Sequence, residues 1–267
     1  FVLFVFIWIK SPADAPLYLF FMGMGNVLAG LLSIFLAIRI FGLKFVKPSV
    51  PEMRMQLKKG WQIMLANLSI TTSQYSGLFI LRLFTNDLVV GYYSIAEKIF
   101  FAMKLMLGAF TQAVFPRVCQ LIQDKRTELI GFFRQIYLPF LGLVFAGSAI
   151  LFIFSDPVLY FFIGHHDETA SMLLRILSIA VVISALNIPG NLVLFAADHK
   201  KSYFKIFALS CIVNIAANIV LANYFGATGT AVSMMITEFF VAAGLSWEVY
   251  KIYFVRTGKT IRNIAGE

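Results

Sequence analysis

The sequence predicts an all-α protein, a polytopic bundle of transmembrane helices. Of its 267 residues, 60% are hydrophobic and only 13% are charged, whereas soluble domains carry roughly 25% charged residues. The apolar residues form long stretches, and about 20 helical residues cross a hydrocarbon core about 30 Å thick. The Lys and Arg residues concentrate in alternate connections between these stretches. Together these observations indicate a membrane protein with many spans.

The cations also orient the chain. Most of the 22 Lys and Arg residues lie in segments 44–59, 117–134, 200–205 and 251–262, whereas the connections between these segments carry mainly Asp and Glu. Short loops rich in Lys and Arg stay on the cytoplasmic side of a membrane. We therefore place the basic segments in the cytoplasm. This topology accounts for most of the net charge of +9, so the basic excess does not indicate nucleic-acid binding.

The apolar segments divide the chain into four predicted regions. Residues 1–9 are too few to span as a helix and are expected to end a helix that starts before the first residue. Further spans are predicted at 17–41, 61–84, 89–118, 132–154, 169–196, 203–222 and 228–254. Six spans make up one internal repeat in several transporter folds. We therefore predict the end of a first helix bundle at 1–41, a cytoplasmic linker at 42–60, a second six-helix bundle at 61–254 and a cytoplasmic tail at 255–267.

Charged side chains inside the spans are the first candidates for function. A charge at mid-bilayer costs about 2.5–3.5 kcal/mol on insertion scales, so it usually faces a bundle interior or a cavity. Glu97 and Lys104 share one helix face but lie about 10 Å apart along it. Lys104 therefore needs a partner on another helix or a bound anion. Arg175 and Glu238 lie in later spans, and the alternative for Lys104 and Arg175 is an interhelical ion pair with Glu238 or Glu97.

Two rows of polar side chains supply further candidates. Both rows follow helical spacing within predicted spans, and they consist of Asn67, Thr71 and Gln74 in one span and Ser210, Asn214 and Asn218 in another. Hydrogen bonds between packed helices explain the second row as well as substrate contact does. Lys98 and Arg82 are better explained by structure, since their long side chains can reach the interface or, for Arg82, pair with Asp87.

Enzymatic and metal-binding motifs are absent from the sequence. It contains no Gly-x-Ser-x-Gly elbow, no Gly-x-x-x-x-Gly-Lys phosphate loop and no His-Glu-x-x-His motif. Cys119 lies at the cytoplasmic end of one predicted span and Cys211 inside another, so a disulfide is not expected, and the two lack metal-ligand spacing. Segment 165–168, His-His-Asp-Glu, is predicted to be a solvated part of the outer loop 155–168. We therefore predict no catalytic residues, no metal site and no cofactor.

Several local motifs carry a resemblance to a known family. They are VGYYSIAEKI at 90–99, VFPR at 114–117, GWQIMLANLS at 60–69 and the region 214–238, with YFGATGTA at 224–231. With these motifs the sequence resembles the bacterial polysaccharide transporters of the O-antigen flippase (Wzx-like) type. That family belongs to the multidrug/oligosaccharidyl-lipid/polysaccharide exporter superfamily.

The resemblance implies a fold, a function and a location. It implies two six-helix bundles around a central cavity, in a multi-pass protein of the bacterial inner membrane. Its members flip undecaprenyl-diphosphate-linked oligosaccharides across that membrane by alternating access. The implied partners are the lipid-linked oligosaccharide, membrane lipid, a polysaccharide polymerase and the chain-length machinery.

Given this resemblance, each candidate residue has an expected role. Lys104 and Arg175 are expected to offset the charge of the diphosphate. Glu97 and Glu238 are expected to couple transport to protons or sodium, because burial moves a carboxyl pKa towards neutrality. The amide and hydroxyl groups are expected to bind the sugars, through Asn67, Thr71, Gln74, Asn214 and Asn218.

Two other functions stay open. A cation-coupled multidrug exporter of the same fold would prefer an acidic cavity, whereas the spans hold more cations than acids: Arg82, Lys98, Lys104 and Arg175 against Glu97 and Glu238. A membrane polysaccharide polymerase or acyltransferase would require a large catalytic outer loop. The longest predicted outer loop here is only 155–168.

Overall fold

The structure, a computed structural model, describes residues 14–42, 49–124 and 128–252. Almost all of these residues are helical, so the predicted all-α class is confirmed. The elements are α1 (Ala15–Phe41), α2 (Val50–Phe84), α3 (Asp87–Asp124), α4 (Glu128–Phe132), a π-helical turn (Phe133–Tyr137), α5 (Leu138–Ile153), α6 (Ser155–Ile163), α7 (Glu168–Ala196) and α8 (Lys200–Tyr250). The apolar segment 1–9 and the predicted tail 255–267 lie outside the described residues.

The chain divides into two compact units, 1–57 and 58–267, and the division falls inside α2. In the first unit, α1 exposes apolar side chains around most of its surface, as a helix surrounded by lipid does. The helix ends at Gly42, whose φ of 60° is left-handed and whose N–H donates to the Ile38 carbonyl over 3.0 Å. Glycine adopts this conformation without steric cost and is common after the last turn of a helix.

The predicted linker 42–60 is partly helical, because α2 begins at Val50. The Ser49 N–H donates to Glu52 Oε2 over 2.9 Å, and the Glu52 N–H lies 3.4 Å from Ser49 Oγ. This is a capping box, which satisfies free N–H groups at a helix start. The same hydrogen bonds, chiefly the one from the Ser49 N–H, lower the pKa of Glu52. The cytoplasmic location of the linker stays a prediction.

Five helices in the described part of the chain are long and apolar enough to cross a membrane. They are Phe20–Phe41, Asp87–Ile122, Glu128–Ile153, Glu168–Ala196 and Lys200–Tyr250. The last of them holds two predicted spans, because α8 breaks at Gly226 (φ 57°, ψ −133°) into two arms. The predicted span 61–84 is helical, but α2 is not among the five, since its polar side chains reduce its hydropathy. That α2 crosses the membrane stays a prediction.

Helix α7 is the centre of the second unit. It contacts α3, α5, α6 and α8, and Leu173 and Leu177 on it are completely buried. Small hydroxyl side chains allow its neighbours to approach closely. One such contact is the hydrogen bond from the Ser148 hydroxyl of α5 to the Ser178 carbonyl of α7.

A proline in α7 is compensated by a tyrosine from the π-helical turn. Pro189 lies inside α7 and has no N–H, so the carbonyl of Ala185 lacks its usual donor four residues later. Tyr137 Oη donates to this carbonyl over 3.1 Å, and the bond is buried. Tyr137 is the last residue of the π-helical turn. The turn therefore places a donor where the proline has left an acceptor free.

The two arms of α8 pack tightly beside the break at Gly226. Gly229 lies so close to the other arm that a Cβ atom would overlap the carbonyl group of Leu221. Further along the arms, Asn214 Nδ2 donates to Thr237 Oγ1 over 2.8 Å. Glycine is required at position 229 because the backbones touch there. The arms therefore form a close helical hairpin.

The predicted outer loop 155–168 contains a helix, α6, which ends at Gly164 with a left-handed φ of 84°. Polar side chains around it are engaged locally. His166 Nδ1 lies 2.7 Å from Asp156 Oδ2, and His165 Nε2 lies 3.0 Å from Tyr92 Oη. Asp167 caps α7 by accepting the Ala170 N–H over 2.8 Å. An outer loop was predicted here, but an acid in the first turn and a glycine after the last turn both favour the helix that forms.

Candidate functional site

A cavity of about 550 Å³ lies among α2, α3, α7 and both arms of α8, within the second unit. Its lining residues come from 67–74, 104–115, 184–195, 203–210 and 234–241. On each helix these stretches lie near the middle or in the half closer to a basic connection. The cavity therefore faces the side that the cation pattern predicts to be cytoplasmic.

An ion pair joins two helices at the wall of this cavity. Lys104 Nζ of α3 lies 2.6 Å from Glu238 Oε1 of α8. Asn187 Nδ2 of α7 donates to Glu238 Oε2 over 2.9 Å. Both oxygens of the buried carboxylate thus have a donor, as a charge in a low-dielectric interior requires. Of the two options left open for Lys104, the structure shows the interhelical ion pair.

The ion pair leaves the cavity without net charge. Among the described residues that line it, Lys104 and Glu238 are the charged ones. Their side chains differ in exposure, 26% for Lys104 and 9% for Glu238, and Lys104 also lies 5.4 Å from the centre of the Phe100 ring. The excess of cations within the spans therefore does not extend to the cavity.

A row of oxygen atoms on α7 lacks hydrogen-bond partners. Ser184 Oγ, Asn187 Oδ1 and Asn191 Oδ1 are buried and unpaired, and all three residues line the cavity. They follow i, i+3, i+7 spacing, which places them on one helix face. This row was not predicted from the sequence. The signal was present, because Asn187 and Asn191 are amides one turn apart in an otherwise apolar span.

Aromatic side chains form another part of the cavity wall. Tyr203 lies between Phe195 and Phe207, with ring centroids 4.4 Å and 4.5 Å away. Phe115 of α3 lines the same cavity. Because Phe195 and Tyr203 are close to the basic connection 200–205, this aromatic cluster lies at the end of the cavity nearer the predicted cytoplasmic side. The cavity therefore combines polar groups with flat apolar surfaces.

On α2 the lining face is rotated relative to the predicted row. Asn67 and Gln74 line the cavity together with Ile70 and Ser73. Thr71 does not line the cavity and is exposed, because it lies about 90° around the helix from the centre of the lining face. Of the predicted i, i+4, i+7 row, the first and last residues line the cavity, and the middle one does not.

Asn214 and Asn218 do not line the cavity, although both are buried. Asn214 accepts a hydrogen bond from Ser76 Oγ over 3.3 Å and donates to Thr237. Asn218 Oδ1 is unpaired, and its Nδ2 lies 3.3 Å from where a Cβ of Gly77 would be. For Asn214, hydrogen bonding between packed helices, which the sequence left as an alternative, is what the structure shows.

Arg175 and Glu97 also lie outside the cavity. Arg175 is exposed, and its Nε donates to Ser155 Oγ over 2.9 Å in a depression shared with Asp156 and His166. It is two turns from the start of α7, so its long side chain reaches the outer end of the bundle. Glu97 is buried one turn from Tyr93, on a part of α3 beyond the lining residues.

Arg82 and Lys98, the two cations for which the sequence favoured a structural role, both lie on the surface of the second unit. Arg82 Nε lies 2.8 Å from Asp87 Oδ1, and both side chains are exposed. Lys98 is exposed on the face of α3 opposite its buried residues.

Comparison with known proteins supports the family resemblance. A family model described as "Polysaccharide biosynthesis protein" matches residues 1–122. A relative from Shigella dysenteriae named "Putative O-antigen transporter" is 26% identical over 242 residues, which are 89% of this chain and 59% of the relative. A relative of the same name from Escherichia coli (strain K12) is 23% identical over 259 residues, 96% of this chain and 60% of the relative. This chain therefore spans about 60% of the length of these curated relatives. No solved structure matches it.

Proposed function

We propose a function from the premise that this chain is a relative of the Wzx-like polysaccharide transporters, a resemblance that the family model and both curated relatives support. The full protein moves an oligosaccharide linked to undecaprenyl diphosphate across the bacterial inner membrane. It does so by alternating access, in which a cavity opens first to one side and then to the other. A polysaccharide polymerase and its chain-length machinery then act on the transported unit.

The observation that supports this proposal best is the cavity itself. The cavity of about 550 Å³ carries amides, hydroxyls and an ion pair among apolar side chains, and such polar groups are costly to bury inside a bundle of apolar helices. Its lining offers amides and hydroxyls, which hydrogen-bond successive sugars, and aromatic rings, which pack on apolar sugar faces. Its location nearer the predicted cytoplasmic side is suitable for loading a substrate made in the cytoplasm.

The two alternative functions have less support. A cation-coupled drug exporter is expected to hold uncompensated acids in its cavity, whereas Glu238, the acid among the described lining residues, is neutralised by Lys104 at 2.6 Å. A polymerase or acyltransferase needs nucleophiles and bases at a reaction centre. Ser184 lines the cavity, but His165 and His166 lie around α6, outside it. The names of the curated relatives likewise support a transporter rather than an enzyme.

A gene deletion tests the proposal. Deleting the gene should abolish the surface polysaccharide while leaving drug sensitivity unchanged, and the full-length gene supplied on a plasmid should restore it. Radiolabelled lipid-linked repeat units should accumulate on the cytoplasmic side of the membrane in the deletion strain. An unaltered polysaccharide profile in a strain without a second flippase would contradict the proposal. Increased drug sensitivity with normal polysaccharide would favour the exporter instead.

A further inference from the structure

We infer that the cavity binds the neutral, hydroxyl-bearing glycan through the oxygen row of α7, defined as Ser184, Asn187 and Asn191, and that Lys104 is a counter-ion of Glu238 rather than a ligand of the diphosphate. This inference rests on the proposed function and names which part of the substrate occupies the cavity. It reverses the role that the sequence predicted for Lys104.

The first support is the chemistry of the unpaired atoms. Asn187 Nδ2 is engaged with Glu238, which fixes the orientation of that amide and leaves Oδ1 without a donor. Ser184 and Asn187 are each only 5% exposed, and an unpaired polar atom at such burial costs free energy. Carbonyl oxygens are acceptors only. The two amide oxygens therefore require donors, whereas the Ser184 hydroxyl can donate or accept. Sugar hydroxyl groups and acetamido N–H groups supply such donors, and a sugar hydroxyl can also accept from Ser184.

The second support is the state of the cation. A diphosphate carries no donor for the amide oxygens of the row at neutral pH, and it would need an uncompensated positive charge. Lys104 is already 2.6 Å from Glu238 Oε1. Moving Lys104 to the diphosphate would leave Glu238 buried with only the Asn187 amide as its partner, which is unfavourable. The described lining thus suits an uncharged ligand and opposes an anionic one.

The third support is the shape of the wall beside the row. The aromatic cluster of Phe195, Tyr203 and Phe207 adjoins it, since Phe195 follows Asn191 by one helical turn on α7. Carbohydrate-binding sites need both hydrogen-bonding groups for the ring edge and a flat apolar surface for the C–H face. A diphosphate has no apolar face that could pack on such a surface.

Binding measurements on the purified full-length protein test this inference. One probe is the repeat-unit oligosaccharide released from the host's own surface polysaccharide by mild acid; the other is inorganic pyrophosphate. The free oligosaccharide should bind, and pyrophosphate should not displace it. Ser184→Ala and Asn191→Ala should each weaken oligosaccharide binding about 3- to 10-fold, the value of one neutral hydrogen bond.

Two controls separate this role from a structural one. Ser184→Ala removes a hydroxyl that has no protein partner, so the Tm of the unliganded protein should not fall. Asn218→Ala removes a buried amide whose oxygen is likewise unpaired and which lies outside the cavity, so it should leave oligosaccharide binding unchanged. A Tm loss in Ser184→Ala, or an equal binding loss in Asn218→Ala, would overturn the inference.

The remaining outcomes distinguish the inference from the proposed function. Absence of oligosaccharide binding to the wild-type protein, or its displacement by pyrophosphate, would overturn the role of the oxygen row. Export in the complemented deletion strain would then still support the transporter. Failure of complementation together with oligosaccharide binding would contradict the proposed function and leave the glycan site intact.

Discussion

Tyr137 should stabilise the fold through a single hydrogen bond that Pro189 makes necessary. Tyr137 Oη donates to the Ala185 carbonyl over 3.1 Å, and that carbonyl has no donor within α7 because residue 189 is proline. Tyr137→Phe keeps the ring and removes only the donor. The buried carbonyl then has no partner. We therefore expect the variant to lose stability without losing packing.

The magnitude follows from the burial of this carbonyl. Leaving a buried acceptor unpaired costs about 1–3 kcal/mol, and side-chain hydrogen bonds inside membrane proteins average about 0.6 kcal/mol with a maximum near 1.7. We expect a loss of about 1–2 kcal/mol for Tyr137→Phe. Thermal or detergent-induced unfolding of the purified full-length protein would measure it. Tyr93→Phe is the matched control, because Tyr93 is buried but makes no hydrogen bond to another described residue.

A double-mutant cycle isolates the cause. Pro189→Ala returns an N–H to position 189, and this N–H can donate to the Ala185 carbonyl in the usual helical pattern. In that background Tyr137→Phe should cost far less than in the wild type, so the two substitutions should be coupled by about 1 kcal/mol. Equal costs of Tyr137→Phe in both backgrounds would refute the reasoning.

Three more predictions concern the ion pair, the hairpin and the topology. Lys104→Met should reduce the amount of folded protein on an immunoblot, because it leaves Glu238 buried beside a single amide. Adding Glu238→Gln should restore that amount. If the double variant does not recover, the pair is not structural. Gly229→Ala should prevent stable accumulation of the protein, since a Cβ there overlaps the Leu221 carbonyl. Gly91→Ala is the control and should accumulate normally, because nothing lies within 4 Å of a Cβ at that position. Equal accumulation of the two variants would show that the arms of α8 separate readily. A cysteine at Lys58, in a full-length variant whose other cysteines, Cys119 and Cys211 among them, are replaced, should react with a membrane-impermeant thiol reagent only after the inner membrane is opened. Labelling from outside would reverse the predicted topology.

Most helices of the fold were predictable, because a membrane helix depends on local apolar length. The predicted span 169–196 differs from α7 by one residue at its start. The extension of α2 back to Val50 was not predicted. Positive charge and proline in 42–60 indicated a linker, but the capping box of Ser49 and Glu52 allows a helix to begin there. The composition of 42–60 therefore predicted where the connection lies but not that part of it is helical.

The site was predictable only in part, because the rotation of each helix depends on its neighbours. The sequence showed that Lys104 needs a partner on another helix, since no carboxylate lies three or four residues away. It could not choose Glu238 over Glu97, because the choice depends on packing between residues 134 positions apart. The sequence placed Arg175 about two turns into its span, but it could not show that the side chain lies outside the cavity, beside Ser155. Asn187 and Asn191 were not predicted as lining residues, although both amides lie in the predicted span 169–196.

The hairpin of α8 has a consequence for biogenesis. The hydrogen bond between Asn214 and Thr237 joins the two arms to each other, so this pair of polar groups is satisfied as soon as the hairpin forms. Glu238 differs, because its partners Lys104 and Asn187 belong to helices that the ribosome makes earlier. The α8 hairpin therefore needs α3 and α7 to be in the bilayer before its carboxylate can be neutralised. We expect the cavity to be assembled only when this hairpin docks against α3 and α7, after both of them have inserted.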